Sequence, residues 1–367
     1  MSIFNTQNRL LLGKNEASFG VPIALTPAVD SDVRVRDLEL STLSVEYDDE
    51  SSKFYDGTLT HDMAIAGIAR GTIDFSIKVA PGEFHYTSGA VLSSNSLPYN
   101  KYMKSAGLKE TYSAPSTSAA GLSDGYWLFE PNNSELCSTS TIAIYDTTQC
   151  GTAASVEYKL GGAMANSFTL ASESAGKPYI MNFSMNGKVV GVSEVLGSSI
   201  PAFNESGSIH TIASKMLNTN ITITKLNSDG SDFFPAVSES FCTNTLSLDA
   251  GLALSEIMCQ SDSSGLLGYQ ITGRDERITI DPLLEKISDF DFWSAMTTEN
   301  PYKLEIVGQG VEITVPYGQI ITSDGSDDNG LRRLSITMRP LKNIQGATDA
   351  EQQAVYSIKI YGWNIID

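Results

Sequence analysis

Residues 71–79 read GTIDFSIKV. In an extended chain Ile73, Phe75, Ile77 and Val79 point one way, and Thr72, Asp74, Ser76 and Lys78 the other. That period of two predicts a half-buried strand, with one face in a core and the other facing water or a partner. The same alternation recurs in VRVRDLELSTLSVEY, STIAIYD, NSFTLAS, YIMNFSMNG, NITITKL, TLSLDAG, ERITID, YKLEIVG, GVEITV, LSITMRPL and VYSIKIYGWNI. Clusters of Gly, Asn, Asp and Ser, such as MNGK, NSDGSD and SDGSDDNG, separate the runs as turns. The expectation is a mainly β protein with a few short helices.

Two segments break the pattern. In LPYNKYMKSAG (97–107), Leu97, Tyr99 and Tyr102–Met103 fall at helical spacing, with Pro98 near the front and Gly107 at the close. In DPLLEKISDFDFWSAMT (281–297), Leu284, Ile287 and Phe290, continued by Trp293, make an apolar stripe. Each predicted helix follows a strand that ends near a proline, at Val79–Pro81 and Ile280–Pro282.

The parallel extends to an internal repeat. VEYKLGGAMANSFTLASESAGKPYIMNFSMNG from Val156 lies over VEITVPYGQIITSDGSDDNGLRRLSITMRP from Val311 at an offset of 311 − 156 = 155. That offset sets Met181 over Ile336 and Phe183 over Met338, so the alternation stays in phase without a gap. Upstream, RDLELSTLS is similar to NTLSLDAGLAL, and GIARGTIDFSIKV to GYQITGRDERITI. A tandem duplication is expected, with its boundary near 197–210, where LGSSIPAFNESGS reads as a linker.

The 367 residues are 41% hydrophobic, enough for two domains with real cores. A net charge of −19 argues against general affinity for nucleic-acid phosphates, which needs clustered Lys and Arg. It suits a solvated acidic surface, or an acidic wall that DNA passes without sticking. The start carries no basic stretch ahead of an apolar core, and no run approaches the roughly 18 apolar residues of a membrane span. Folding in a cytoplasm is therefore expected.

Catalytic signals are scarce. Cys137, Cys150, Cys242 and Cys259 form no CxxC pair, and His61, His85 and His210 are far apart in sequence, so a zinc site is not expected. Cys137 and Cys150 flank a strand-like run and leave a disulfide open, although nothing else marks an oxidising compartment. HExxH and Walker-type loops are missing. DGSDDNG (324–330) has its glycine one place too late for a calcium loop and no glutamate at the twelfth position, so a hairpin tip is the expectation. Acidic pairs fit for glycoside hydrolysis arise by chance among 43 Asp and Glu. Neither a cofactor, a metal nor a catalytic residue is predicted.

LPYNKYMKSAGLKETY resembles a pattern of the tail tube (major tail) proteins of long-tailed bacteriophages. Ser96, Pro98, Tyr99, Ala106 and Gly107 hold the matching places, while Tyr102–Met103 replace the usual leucines and Ser105 the usual Ala or Cys. NEASFGVPIALTPAVDSDVRVRDLEL is similar to the family's extended N-terminal arm with its E-x-x-x-G. GTIDFSIKVAPGE is similar to the strand before the helix, and residues 158–188 to its glycine-marked hairpin. The likeness runs in order through residues 10–195 and returns more weakly in 240–367.

The resemblance implies two tandem β-sandwich or split-barrel tube domains, each with a short flanking helix. Their extents would be an N-terminal arm at 1–30, a first tube domain at 31–197, a linker and lead-in strand at 198–240, and a second tube-like domain at 241–367. Tyr99 and Met103, and Leu284, Ile287 and Phe290, would pack the helices onto the sheets. The resemblance also implies a structural virion protein, made in the host bacterial cytoplasm, that joins edge to edge into rings and stacks into a hollow tail tube. Its partners would be further copies of itself, the tape measure, terminator and tail tip proteins, and DNA passing through unbound. Six domains per ring would mean three chains with pseudo-sixfold symmetry, or six chains if the second half only decorates. The acidic segment YDDESSKFYDG (47–57) is turn-like, and Glu46, Asp48, Asp49 and Glu50 are candidate contact or lumen charges. Another tail ring component, such as a terminator or baseplate ring, is the neighbouring alternative. A β-sandwich binding or adhesin module is the third; it would want an exposed aromatic platform, whereas Trp127 and Trp363 read as strand-end core.

Overall fold

A computed structural model describes residues 4–30, 33–48, 65–80, 83–87, 90–91, 97–114, 125–148, 154–196, 215–216, 219–227, 229, 238–283, 291–298, 300–328, 330–343, 346, 348–361 and 363–366. The chain is mainly β. Its first part forms β1 (Phe4–Asn15), β2 (Arg36–Asp48), β3 (Ile65–Lys78), β4 (Glu83–Thr87), β5 (Ala90–Val91), β6 (Leu108–Ser113), β7 (Tyr126–Pro131), β8 (Ser140–Thr148), β9 (Ala154–Ser172) and β10 (Ile180–Leu196). The rest forms β11 (Asn220–Lys225), β12 (Ser238–Phe241), β13 (Thr243–Asp249), β14 (Leu252–Met258), β15 (Leu266–Arg274), β16 (Arg277–Pro282), β17 (Tyr302–Val307), β18 (Val311–Asp328), β19 (Leu331–Pro340), β20 (Ser357–Tyr361) and β21 (Trp363–Ile366). The helices are α1 (Pro27–Asp30), α2 (Asn100–Ser105), α3 (Phe292–Thr297) and α4 (Asp349–Gln353).

Sixteen strands share one sheet, along the path β12-β11-β17-β18-β19-β16-β13-β9-β10-β3-β2. β1 joins through β8 to β9, and β20 ties β18 to β7 and so to β6. The first part of this sheet runs β2-β3-β10-β9-β8-β1, and the later part runs β13-β16-β19-β18-β17-β11. Spatial order and chain order agree strand for strand between the two. α2 lies between β3 and β8 in the chain, and α3 lies at the corresponding place between β16 and β17. Registers agree as well. Phe183 and Met181 face Phe75 and Ile77, while Met338 and Ile336 face Ile278 and Ile280. The strand preceding each of these breaks the ungapped alignment: Phe183 faces Phe168 but Met338 faces Ile320, an offset of 320 − 168 = 152. β18 runs on to a tight turn at its tip, where Asp328 pairs with Leu331, whereas β9 stops at Ser172 and a longer loop follows. Residues 324–328 of the segment expected at a hairpin tip thus form the far end of a hairpin strand.

The core forms because period-two strands turn one face inward. Ile73, Phe75, Ile77 and Val79 are all buried, as their alternation requires. Phe183 stacks on Phe75 with centroids 5.3 Å apart and meets Phe168 at 5.1 Å. Tyr102 of α2 joins this group edge-on to Phe75 at 4.8 Å. Tyr99 and Met103 are buried with it, and the Tyr99 hydroxyl donates to the Ala80 carbonyl at 3.3 Å. Gly13 makes room for the Tyr102 ring, since a Cβ there would sit 2.8 Å from Cε1. The helix is shorter than the 97–107 expected. Leu97–Tyr99 form a turn, and Gly107 ends the helix with φ +75, its N–H donating to Lys104 O at 2.8 Å.

The second helix departs further from expectation. Asp281 and Pro282 continue β16, and helix begins only at Phe292, capped by the Asp291 carboxylate accepting from Ser294 N at 3.0 Å. Asp281 is held in the strand because its carboxylate accepts from Asn244 and Thr245 N–H. Trp293 is not part of a buried stripe: it is 72% exposed, and Ala295 is the residue that points inward. Leu284, Ile287 and Phe290 lie outside the described residues, as does the expected boundary at 197–210. Within the stretch expected as an N-terminal arm, β1 pairs along β8. β11 falls in the stretch expected as linker and lead-in strand. Trp127 is buried in β7. Cys137, Cys242 and Cys259 are free thiols, and Cys150 lies outside the described residues.

Candidate assembly surface

β2 ends the sheet, so one side of its backbone has no strand partner among the described residues. Leu43 faces Gly71, and a Cβ on Gly71 would meet the core side chain of Leu160. The apolar face of the β2–β3 hairpin therefore continues outward past the core as Leu43, Val45 and Tyr47, which are 45%, 40% and 64% exposed. Val190 and Val192 of β10 are also exposed. A long edge strand with uncovered apolar side chains is a template for pairing with another chain.

Beside this strip, Arg70 of β3 makes a two-pronged contact with Glu256 of β14, at 2.7 and 2.9 Å, and reaches Glu46 of β2 at 3.0 Å. The hydrogen bonds that Arg70 donates to Glu256 and then to Glu46 raise the guanidinium pKa, and in return Arg70 holds the Glu256 carboxyl below its usual value. Glu46, expected as a contact or lumen charge, is thus committed to Arg70 within the chain. Asp48 closes the β2–β3 pairing opposite Ile65. Asp49 and Glu50 lie outside the described residues.

The β14–β15 hairpin lies across β9, and a second ion pair helps dock it. Nearly buried Lys188 of β10 reaches Asp262 at 2.7 Å, and that contact, with the Ser264 hydrogen bonds, lowers the Asp262 carboxyl to about 2. Under the hairpin, Leu266, Tyr269 and Ile271 pack on Met164. Burial pushes the Tyr269 phenol up to about 12. Three backbones cross here at glycines. A Cβ on Gly162, where φ is +58, would lie 2.9 Å from Gly268 Cα and 3.4 Å from Gly20 Cα. Glu16 fixes the crossing by accepting from Thr139 Oγ1, Thr141 Oγ1 and Gly162 N at 2.6, 2.7 and 2.8 Å. The E-x-x-x-G of the sequence is this junction: Glu16 holds the bend and Gly20 permits the approach.

A surface cleft of about 310 Å³ has Lys109, Glu130 and Glu351 as its ionisable lining, and burial raises the Glu130 pKa. Among the described residues, no three His, Cys, Asp or Glu side chains are grouped to hold a metal ion. No helix among them is long and apolar enough to cross a membrane. Sequence reading missed Arg70, Glu256, Lys188 and Asp262. One signal was available for the exposed strip: the strand RDLELSTLSVEYD of β2 runs for 13 residues, its alternation resuming in Leu43, Val45 and Tyr47 after Ser41–Thr42, whereas β13 spans 7. No protein-family model and no curated protein matches the chain.

Proposed function

We propose that this chain is a structural virion protein of the tail tube kind, assembling into stacked rings around a channel through which DNA passes. The observation that carries the reading is the repeated order of six strands, β2-β3-β10-β9-β8-β1 and β13-β16-β19-β18-β17-β11. Two like units in one chain suit a ring, because each can present the same kind of edge to the next. Arg9 of β1 donates to Leu38 O of β2 at 3.0 Å, so the outer strands of the first unit meet, as in a curled or split barrel. The units on this reading are the tandem tube domains of 31–197 and 241–367, each completed by a strand from the segment before it, β1 and β11, with α2 and α3 as their flanking helices. Ring closure would use the edge that β2 leaves open, and a net charge of −19 would let DNA slide past. Three chains per ring give pseudo-sixfold symmetry; further rings and the tape measure, terminator and tail tip proteins are the remaining partners. The site of action is the virion tail.

Negative-stain electron microscopy of the full-length protein, with class averages viewed end-on, tests this. Rings or hollow tubes with a central hole are expected, with threefold symmetry carrying six similar lobes. Only monomers at every concentration, even with a tail tip complex added as nucleus, would overturn the proposal.

A further inference from the structure

We infer that a second copy of this chain adds the edge of its β2 to β18, in the register in which β13 already adds to β9 inside one chain. The inference rests on the self-assembly proposed above and specifies the surface that performs it. Within the chain, Asp249, Leu248 and Ser247 of β13 pair with Thr169, Leu170 and Ala171 of β9. This junction joins the two units of like strand order, and Leu170 and Leu248 are fully buried at it.

Each strand of the junction has a counterpart. β13 pairs with β16 as β2 pairs with β3: Asp249 and Ser247 face Arg277 and Thr279, while Glu39 and Arg36 face Asp74 and Ser76. A bulge between Arg36 and Glu39 places both Asp37 and Leu38 where β13 has Leu248 alone. β9 pairs with β10 as β18 pairs with β19: Thr169 and Ala171 face Asn182 and Ile180, while Thr322 and Asp324 face Thr337 and Ser335. Transferring the junction sets Glu39 of one copy opposite Thr322 of the next, and Arg36 opposite Asp324.

Both edges are open to receive it. β2 pairs only with β3, and β17 covers the matching side of β18 no further than Gly318, among the described residues. Arg36 and Asp324 are both exposed, and as directly opposed unlike charges they favour this register. The Arg9 guanidinium occupies the Leu38 carbonyl in the lone chain, and the incoming strand must displace it or use the second lone pair of that oxygen. The uncovered strip finds a place too. In the chain, the β14–β15 hairpin that follows β13 packs on β9 and β10 of the preceding unit. The same step carries Leu43, Val45 and Tyr47 of the β2–β3 hairpin onto the β18–β19 hairpin of the adjoining copy. Because the two edges differ, the contact is head-to-tail and closes only as a ring.

The test uses full-length protein carrying Glu39→Cys and Thr322→Cys, with Cys137, Cys150, Cys242 and Cys259 changed to Ser. After mild oxidation, non-reducing electrophoresis should show a covalent ladder that ends at the ring size, while either single variant stays monomeric. In parallel, Arg36→Asp should reduce ring formation at least tenfold, and adding Asp324→Arg should restore it. Rings seen by microscopy without cross-linking above the single variants, or without rescue by the charge swap, would overturn the inference while leaving self-assembly standing. Absence of any rings from unmodified protein would instead overturn the self-assembly reading, and this inference with it.

Discussion

Replacing Phe183 by Ala probes whether the first unit is held by one aromatic centre. Phe183 is 2% exposed, and its ring meets Phe168, Phe75 and Tyr102 with centroids at 5.1, 5.3 and 6.0 Å. Truncating a buried Phe to Ala costs about 3–5 kcal/mol, from lost transfer free energy and the cavity left behind. Aromatic pairs are worth about 0.5–1.5 kcal/mol each beyond burial, so three such partners place this site at the upper end of the truncation range, at about 5 kcal/mol. Met338 stands at the corresponding place in the later strand order, is also 2% exposed, and provides the comparison. Without a ring of its own, and with a flexible thioether, Met338→Ala should cost about 2–3 kcal/mol. Urea unfolding below the assembly concentration, followed by both near- and far-ultraviolet circular dichroism, reads the difference; coincident transitions justify a single free energy. A loss under about 2 kcal/mol for Phe183→Ala, or one smaller than for Met338→Ala, would refute the packing argument.

Gly162→Ala should lower stability by about 2–4 kcal/mol in thermal unfolding, because a left-handed backbone and a close approach to the Leu267 carbonyl and Gly268 both resist a Cβ. A melting temperature unchanged from the parent protein would show that the three-glycine crossing is loose. Asp262→Asn should cost about 1–3 kcal/mol at neutral pH by removing the charged partner of Lys188. The Asp262 pKa is lowered from 3.8 to about 2 on folding, so its contribution is present above the unfolded value and fades as pH falls through that interval. The gap between parent and variant, measured by denaturation at a series of pH values, should therefore be constant above about pH 4 and close toward pH 2. A gap that persists at the acid end would sink the assignment.

What the sequence alone determined was local. The alternation of Ile73, Phe75, Ile77 and Val79 prescribes a strand with a wet and a dry face, whichever strands adjoin it, because the side-chain period is built into the extended backbone. The place of α2 was legible for a similar reason: Pro98 and Gly107 punctuate it, and Gly107 does adopt the left-handed φ that such an end requires. The length of α3 was not. DPLLEKISDF carries helical spacing, yet Asp281 is drawn into β16 by the N–H groups of Asn244 and Thr245, 37 and 36 residues away. The candidate surface divides along the same line. The acidic character around Glu46 was visible, but its commitment to Arg70, and Arg70's hold on Glu256 across 186 residues, came only with the fold. The junction of β9 with β13, and the open edges of β2 and β18, were likewise decided by tertiary structure. A strand's sequence prescribes which faces are apolar, whereas its backbone N–H and C=O groups pair alike with any strand brought alongside, so only the folded chain selects the neighbour.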